Sequence, residues 1–258
     1  MVQSDASGAI GYPAGMSQRP FLLPVDPHAP FPSPHLAMEE PDGLLAVGGD
    51  LSPARLLNAY RHGIFPWFSE GQPILWWSPD PRTVFRTEGV RLSSRFRRTL
   101  RQSRWQVRAD TAFDEVIERC AHVRRSGQYG TWITDGMQHA YGALHRLGHA
   151  HSVEVFDGRK LVGGIYGVAV GRMFFGESMF SGRSGGSKVA LAALARQLQA
   201  WEWPLIDAQV ANEHLFSLGA ESWPRERFLQ AVSGLAAMPA AAGSWQGIFA
   251  SFPAAELA

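Results

Sequence analysis

The chain has 258 residues, of which 45% are hydrophobic and 18% charged, and its formal net charge is +1. This composition is typical of a soluble globular protein, and no apolar run approaches the length needed to span a membrane. A single cysteine, Cys120, excludes a disulfide framework and favours a cytoplasmic location.

The first elements predicted are a tail and a small domain. Residues 1–20 are polar, contain Gly and Pro and lack an apolar core, so we expect a flexible tail and no secretory signal. Residues 21–84 are rich in Pro, Gly and aromatic residues and predict a small N-terminal α/β domain. Its clearest helix begins after Ser52, a good N-cap followed by Pro53, and ends at Gly63.

The next segment is strongly basic. Residues 82–108 contain nine arginines and one acid, Glu88, which gives a local charge of +8. A patch of this size indicates a polyanion as partner. The alternative is a solvated arginine-rich face in a protein from a GC-biased genome, and charge alone does not separate the two.

Residues 85–250 predict a larger second domain. Three helical patterns occupy residues 90–148, and from residue 149 the hydrophobic period changes to two, which predicts three strands joined by hairpin turns at 157–158 and 171–172. A glycine-rich loop then leads into a helix, a strand (PLIDAQ) and short C-terminal helices. The expected order is α-α-β-β-β-α-β-α, an α+β fold whose last strand inserts parallel to a neighbour in a mixed sheet.

Polar residues within apolar strands are the best candidates for chemistry. Asp207 and Gln209 are two residues apart on the last strand and therefore face the same side, and Glu177 lies in the strand MFFGESMF. If the two strands are neighbours, two carboxylates and an amide line one crevice. The alternative is that these groups satisfy one another structurally. A carboxylate pair in an aromatic setting is more often a functional site.

Two other motifs could suggest a metal site or a phosphate-binding loop, but neither pattern fits. His145, His149 and His151 straddle a helix end and a strand start, so they do not predict a metal site, and we expect no metal or cofactor. The stretch GRSGGSK does not match the glycine and lysine spacing of a phosphate-binding loop.

Long stretches of the chain resemble one family. The runs GLLAVGGDLSPARLLNAYRHGIFPWFSEGQPILWWSPDPR, GTWIT, LVGGIYGVAVG, GESMFS, LIDAQ and HLFSLGA are similar, in order, to the leucyl/phenylalanyl-tRNA–protein transferases. The resemblance covers roughly residues 29–230. It implies transfer of leucine or phenylalanine, and methionine more weakly, from aminoacyl-tRNA to proteins that begin with Arg or Lys, which marks them for degradation by the N-end rule route. It also implies a larger domain that resembles the acyl-CoA N-acetyltransferase (GNAT) fold.

The resemblance also implies roles for individual residues. Asp207 is expected to accept the proton of the attacking amine, with Gln209 orienting it, and Glu177 to bind the cationic acceptor side chain. The residues expected to hold the aminoacyl group and terminal adenosine are Trp67, Trp132, Ile165, Met179, Leu191, Leu194, Leu198 and Ile206. The charge of the basic segment, on a helix whose Phe96 and Leu100 turn inward, gives a further expectation: tRNA phosphates are contacted by Arg95, Arg97, Arg98 and Arg101. The loop at 181–187 departs from the family pattern, with Ser181-Gly182-Arg183 in place of the usual Ser-Arg.

Two other functions are compatible with parts of the sequence. An acyl-CoA-dependent N-acyltransferase of the same fold would need a pyrophosphate-binding loop, which RSGGSK fits poorly. A non-enzymatic RNA-binding protein would account for the arginines, but it gives no reason for Glu177, Asp207 and Gln209 in strands.

Overall fold

The structure is a computed structural model that describes residues 19–123, 133–240 and 243–258. The expected flexible tail, residues 1–20, lies almost entirely outside the described residues. The α-helices are α1 Pro53–Arg61, α2 Ser94–Arg101, α3 Phe113–Ala121, α4 Asp135–Arg146, α5 Gly186–Ala200, α6 Glu213–Ser217 and α7 Arg225–Ala236. The strands are β1 Phe21–Leu23, β2 Leu44–Gly48, β3 Phe65–Pro66, β4 Leu75–Trp77, β5 Arg82–Arg86, β6 Gln106–Ala109, β7 Ala150–Asp157, β8 Lys160–Val170, β9 Met173–Ser181, β10 Leu205–Gln209, β11 Glu221–Trp223 and β12 Phe252–Pro253.

The helices begin where the capping residues predict. Ser52, Ser93 and Thr134 each accept a hydrogen bond from a backbone N–H in the first turn of the helix that follows. Helix α1 ends before Gly63, whose φ of +70° is easily adopted only by glycine. The start of α1 after Ser52 and its end before Gly63 are therefore as expected.

Two mixed sheets organise the chain. The smaller has the order β1-β2-β4-β3, and the larger has the order β11-β5-β10-β9-β8-β7-β6-β12. The last strand expected from sequence, β10, does pair in parallel with β9. The larger sheet also contains β5, β6, β11 and β12, which the expected element order omits because they are short and lack clear alternation. The boundary expected between residues 84 and 85 falls inside β5.

Both faces of the larger sheet are covered. Helices α3, α4 and α7 pack on one face, with Val116, Tyr141 and Phe228 in the core. Helix α5 and residues 245–257 pack on the other face. Within the described residues, no helix is long and apolar enough to cross a membrane.

The central strands β9 and β10 each contain a bulge. In β9, Glu177 is the extra residue, because Tyr166 of β8 pairs with Ser178 and Gly167 pairs with Gly176. In β10 the register against β5 shifts between Asp207 and Gln209. A bulge bends its strand and redirects the next side chain, and the two bulges lie side by side.

A buried polar network lies between β6, β7 and the C-terminal segment, away from the bulges of β9 and β10. Asp110 accepts hydrogen bonds from His151 Nδ1 (2.9 Å) and from the backbone N–H of Trp245 (2.7 Å). Glu154 accepts from Thr111 Oγ1 at 2.7 Å, and burial raises the pKa of Glu154 to about 7 despite that bond. The network ties the C-terminal segment to the sheet, and it accounts for His151 as a buried structural residue.

Candidate active site

A cavity of about 530 Å³ opens where β9 and β10 stop pairing. The last parallel pair is Asp207 with Phe175, after which the two strands no longer cover each other. The apolar wall of the cavity is formed by Phe85, Ile165, Met179, Leu191, Ile206 and Leu215. The polar groups lining it include Glu177, Gln209, Asn212 and His214. An apolar slot thus lies beside a polar end, the usual arrangement of a small-molecule site.

Glu177 lies at the polar end and is only 8% exposed. Its Oε1 accepts hydrogen bonds from Tyr60 (2.7 Å) and from Gln209 Nε2 (2.8 Å), and its Oε2 accepts one from Tyr141 (2.9 Å). Burial, together with the negative charge of Asp207, raises the pKa of Glu177 to about 7, although the three donors oppose the shift. Burial of Glu177 therefore outweighs its three donors and favours the protonated form.

Asp207 is fully buried, and Arg82 binds both of its oxygens. Arg82 Nε lies 2.8 Å from Oδ1 and Arg82 Nη2 lies 2.7 Å from Oδ2. The guanidinium also donates to the carbonyl of Gly63 and lies over the rings of Phe65 and Phe228. This bidentate pair links the neighbouring strands β5 and β10 of the larger sheet, and the contacts of Arg82 with Gly63 and Phe65 connect it to the smaller sheet region. In the sequence, Arg82 is distinguishable only as one member of a basic segment.

Gln209 connects the two carboxylates. Its backbone N–H donates to Asp207 Oδ1 at 2.9 Å, while its side-chain amide donates to Glu177. Its φ of +61° lies in the left-handed region, which a residue other than glycine adopts at a cost. The bulge between Asp207 and Gln209 interrupts the regular alternation on which the expected common face depends. The hydrogen bond from the Gln209 N–H to Asp207 instead holds the backbone conformation that aims the Gln209 side chain at Glu177.

Most residues expected at the aminoacyl site line the cavity, but two do not. Trp67, Ile165, Met179, Leu191 and Ile206 are part of the wall. Leu194 and Leu198 are fully buried in the core behind it and are absent from the cavity lining. The helical spacing of the leucines is equally compatible with a helix face that packs in the core, and Leu194 and Leu198 pack there. Trp132 lies outside the described residues.

Several residues of the site were not anticipated. Tyr60 of α1 and Tyr141 of α4 lie on the buried faces of their helices, and their hydroxyl groups bind Glu177. Phe85 lines the cavity from β5, a strand absent from the expected order. No local pattern marks these residues, since a buried tyrosine in a helix has the same periodicity whether or not its hydroxyl has a partner.

The loop at 181–187 lies outside the cavity. The backbone N–H groups of Gly182 and Arg183 both donate to the carbonyl of Val162, and the Ser187 N–H donates to Ser181 Oγ. The loop therefore contributes no residue to the lining of the cavity.

The basic segment divides into structural and exposed arginines. Arg82 is buried against Asp207, and Arg86 pairs with Glu221 at 2.9 Å, so neither contributes to a free patch. The four arginines of α2 are exposed, namely Arg95, Arg97, Arg98 and Arg101. The expected +8 patch is thus smaller than the charge count, because Arg82 and Arg86 are paired with Asp207 and Glu221.

Comparisons with known proteins agree with one another. A family model described as leucyl/phenylalanyl-tRNA protein transferase matches residues 84–233, and one described as its N-terminal domain matches residues 49–80. A leucyl/phenylalanyl-tRNA–protein transferase of Xanthomonas axonopodis pv. citri (strain 306) is 68% identical over 92% of this chain and 96% of its own. One from Xylella fastidiosa (strain 9a5c) is 60% identical over 94% of this chain and 100% of its own.

Solved structures are more distant. A functionally unknown conserved protein from Staphylococcus epidermidis ATCC 12228 aligns with a TM-score of 0.40 at 10% identity, over 70% of this chain and 68% of that chain. This likeness is too low to support an argument about fold or function.

Proposed function

We propose a donor and an acceptor for this chain from the premise that it belongs to the leucyl/phenylalanyl-tRNA–protein transferase family. As a member it is an aminoacyltransferase that moves an aminoacyl group from tRNA to a protein. The donors are Leu-tRNA and Phe-tRNA, with Met-tRNA weaker. The acceptors are proteins that begin with Arg or Lys, and the reaction takes place in the cytoplasm as part of N-end rule degradation.

The observation that carries this proposal is the position of the apolar slot directly beside Glu177 and Gln209. The side chain of Leu or Phe enters between Ile165, Met179 and Leu191, which line the slot. The acceptor places its cationic side chain at Glu177 and its amine near Gln209. The two backbones then meet where β9 and β10 diverge, and much of the rate gain comes from positioning, which is worth up to about 7–11 kcal/mol in favourable cases.

The α-amine must lose a proton as the amide forms, since its usual pKa is about 7.7–8.0. Asp207 was expected to accept that proton, but both of its oxygens are bound by Arg82 and it is fully buried. We therefore assign Asp207 to positioning, through its hydrogen bond with the Gln209 backbone. The side-chain oxygen of Gln209 is the group that holds the amine in its attacking orientation.

The likeness to the GNAT fold remains part of the proposal. It is supported by the order β9-α5-β10, in which two parallel neighbours separate and leave a cavity between them. The same feature favours the second candidate function, an acyl-CoA-dependent N-acyltransferase.

Transfer of labelled leucine tests the proposal and its alternative together. The assay supplies Leu-tRNA and a peptide that begins with Arg, with acetyl-CoA as a competing donor. We expect leucine on the peptide and no effect of acetyl-CoA. Acetylation of the peptide without leucine transfer would favour the alternative.

The exposed arginines of α2 are proposed to contact phosphates of the tRNA. The double variant Arg95→Glu/Arg98→Glu should raise the KM for Leu-tRNA and make its salt dependence shallower, because each lost phosphate contact removes about 0.9 from the log–log slope. Arg97 is left intact, since its Nε donates to the carbonyl of Leu92. Kinetics from low to moderate salt measure the effect.

Two controls accompany this variant. Arg159→Glu/Lys160→Glu changes the same charge at an exposed hairpin and should leave the KM unchanged. Transfer from leucyl-adenosine, which has no acceptor stem, should be unaffected in both. Equal loss with both donors would show that the α2 variant disturbs the fold.

The apolar slot is proposed to set the choice between leucine and phenylalanine. Leu191→Ala should raise the ratio of kcat/KM for Phe-tRNA to that for Leu-tRNA by about 3–10-fold, because the enlarged slot suits the larger side chain. Leu194→Ala, one turn further along α5 in the core, should lose about 2–5 kcal/mol of unfolding free energy with the ratio unchanged. A similar change of ratio in both variants would contradict the assignment of the wall.

A further inference from the structure

Glu177, Tyr60 and Tyr141 form a closed triangle of oxygen atoms. The two hydroxyl oxygens lie 2.5 Å apart, and each lies within hydrogen-bond distance of one oxygen of Glu177, at 2.7 and 2.9 Å. Distances in this range require one hydrogen atom between each pair of oxygens. The three sides of the triangle therefore need three hydrogen atoms.

The number available depends on the state of Glu177. Each tyrosine supplies one hydrogen, and an ionised carboxylate supplies none. With Glu177 ionised, both tyrosines donate to it, and no hydrogen is left between the hydroxyl oxygens of Tyr60 and Tyr141, which are 2.5 Å apart. With Glu177 protonated, three hydrogens serve three sides, and Gln209 donates a further hydrogen bond from outside the triangle.

The surroundings agree with the protonated state. Tyr60 and Tyr141 are fully buried, and burial raises the pKa of each well above 10, so neither hydroxyl ionises in place of the carboxyl. The charges that face Glu177 come from β10, where Asp207 repels its anion, and from β5, where Arg82 is already committed to Asp207. Tyr166 on β8 packs edge-on against Tyr141 and adds no positive charge. Within the described ranges no cation pairs with Glu177.

We propose that Glu177 is protonated in the empty site and that the cationic side chain of the acceptor displaces this proton when it binds. The O–H bond of Glu177 breaks, the proton leaves to solvent, and the carboxylate pairs with the guanidinium or ammonium group. A neutral side chain offers nothing in exchange for the proton, so selection for Arg and Lys is an exchange of one cation for another. This mechanism rests on the proposed acceptors and specifies how the site selects them.

Infrared difference spectroscopy tests the proton directly. A protonated carboxyl has a carbonyl-stretch band that an ionised one lacks. Among the residues that the structure describes, Glu154 is the other buried glutamate with a pKa near 7. The measurement therefore uses Glu154→Gln, which lies in a different network and removes the competing band. At about pH 6, one unit below the pKa of Glu177, we expect a carboxyl band that is lost in Glu154→Gln/Glu177→Gln and also lost on addition of arginine amide.

Calorimetry in buffers of different ionisation heat supplies the second measurement. At about pH 6, binding of arginine amide should release close to one proton more from the wild type than from Glu177→Gln, and at about pH 8.5 the two should agree. A missing Glu177 band at pH 6, or equal proton release in both proteins, overturns the proposal. If Glu177→Gln does not bind arginine amide, the spectra of the empty site decide alone.

The same preparations are assayed for leucine transfer to a peptide that begins with Arg. Transfer with no protonated Glu177 would overturn this inference and leave the proposed function standing. Absence of any transfer would overturn the proposed function, whatever the state of Glu177.

Discussion

Asp207→Asn is expected to lower the unfolding free energy by about 3–5 kcal/mol, because it leaves Arg82 buried without a counter-ion. The asparagine side chain has the same size but presents an NH₂ group to the donors of the guanidinium. Arg82 has no exposure through which water can replace the lost oxygen. Denaturant unfolding of the variant and the wild type measures the difference.

Arg86→Met is the matched control for this prediction. It breaks the pair between Arg86 and Glu221, which also involves an arginine of β5 but is exposed to solvent. Exposed pairs contribute about 0–1 kcal/mol, so the control should be nearly neutral. A second comparison, Arg82→Met/Asp207→Leu, should recover much of the lost stability because it removes both charges. Wild-type stability of Asp207→Asn would contradict the account of Arg82 and Asp207 as a buried pair on which the fold depends.

Gln209→Asn is expected to lower kcat by about 100-fold with the fold intact, since the shorter side chain withdraws the amide by one methylene and a displacement of about 1 Å is enough for such a loss. Asparagine tolerates the left-handed backbone found at Gln209, where φ is +61°. The measurement is single-turnover leucine transfer at saturating Leu-tRNA and peptide.

Gln209→Gly separates catalysis from stability. Glycine adopts a positive φ without strain, which offsets part of the stability lost with the hydrogen bond to Glu177, so this variant should remain folded. It should nevertheless lose at least as much activity as Gln209→Asn, because no amide remains. Wild-type turnover in the glycine variant would remove Gln209 from the reaction.

The helices and the central strands could be predicted from sequence because their signals are local. Ser52, Ser93 and Thr134 are caps that act on their own helices, and the turns at 157–158 and 171–172 sit between strands of regular alternation. The strands β6, β11 and β12, near the two ends of the larger sheet, are two to four residues long, too short for a period to show. Their place in the sheet is decided by partners distant in sequence.

The site could be predicted only in part, because many of its contacts join residues that are distant in sequence. The spacing of Asp207 and Gln209, and the neighbouring strands β9 and β10, place the crevice correctly. The partners of its carboxylates come from elsewhere in the chain, 125 residues away for Arg82 and 117 for Tyr60. Charge counting treated Arg82 as a surface cation, whereas in the fold it neutralises the buried Asp207.

The central claim is that the aminoacyl group and the acceptor backbone meet in the cavity between β9 and β10. It is tested most directly by a crystal structure with an amide-linked phenylalanyl-adenosine, which cannot react. The account predicts the phenyl ring against Ile165, Met179 and Leu191, with the linking carbonyl next to Gln209. The described residues also form a second cavity, of about 460 Å³, whose lining includes Arg61 and Leu229. Binding of the phenylalanyl group there instead would contradict the central claim.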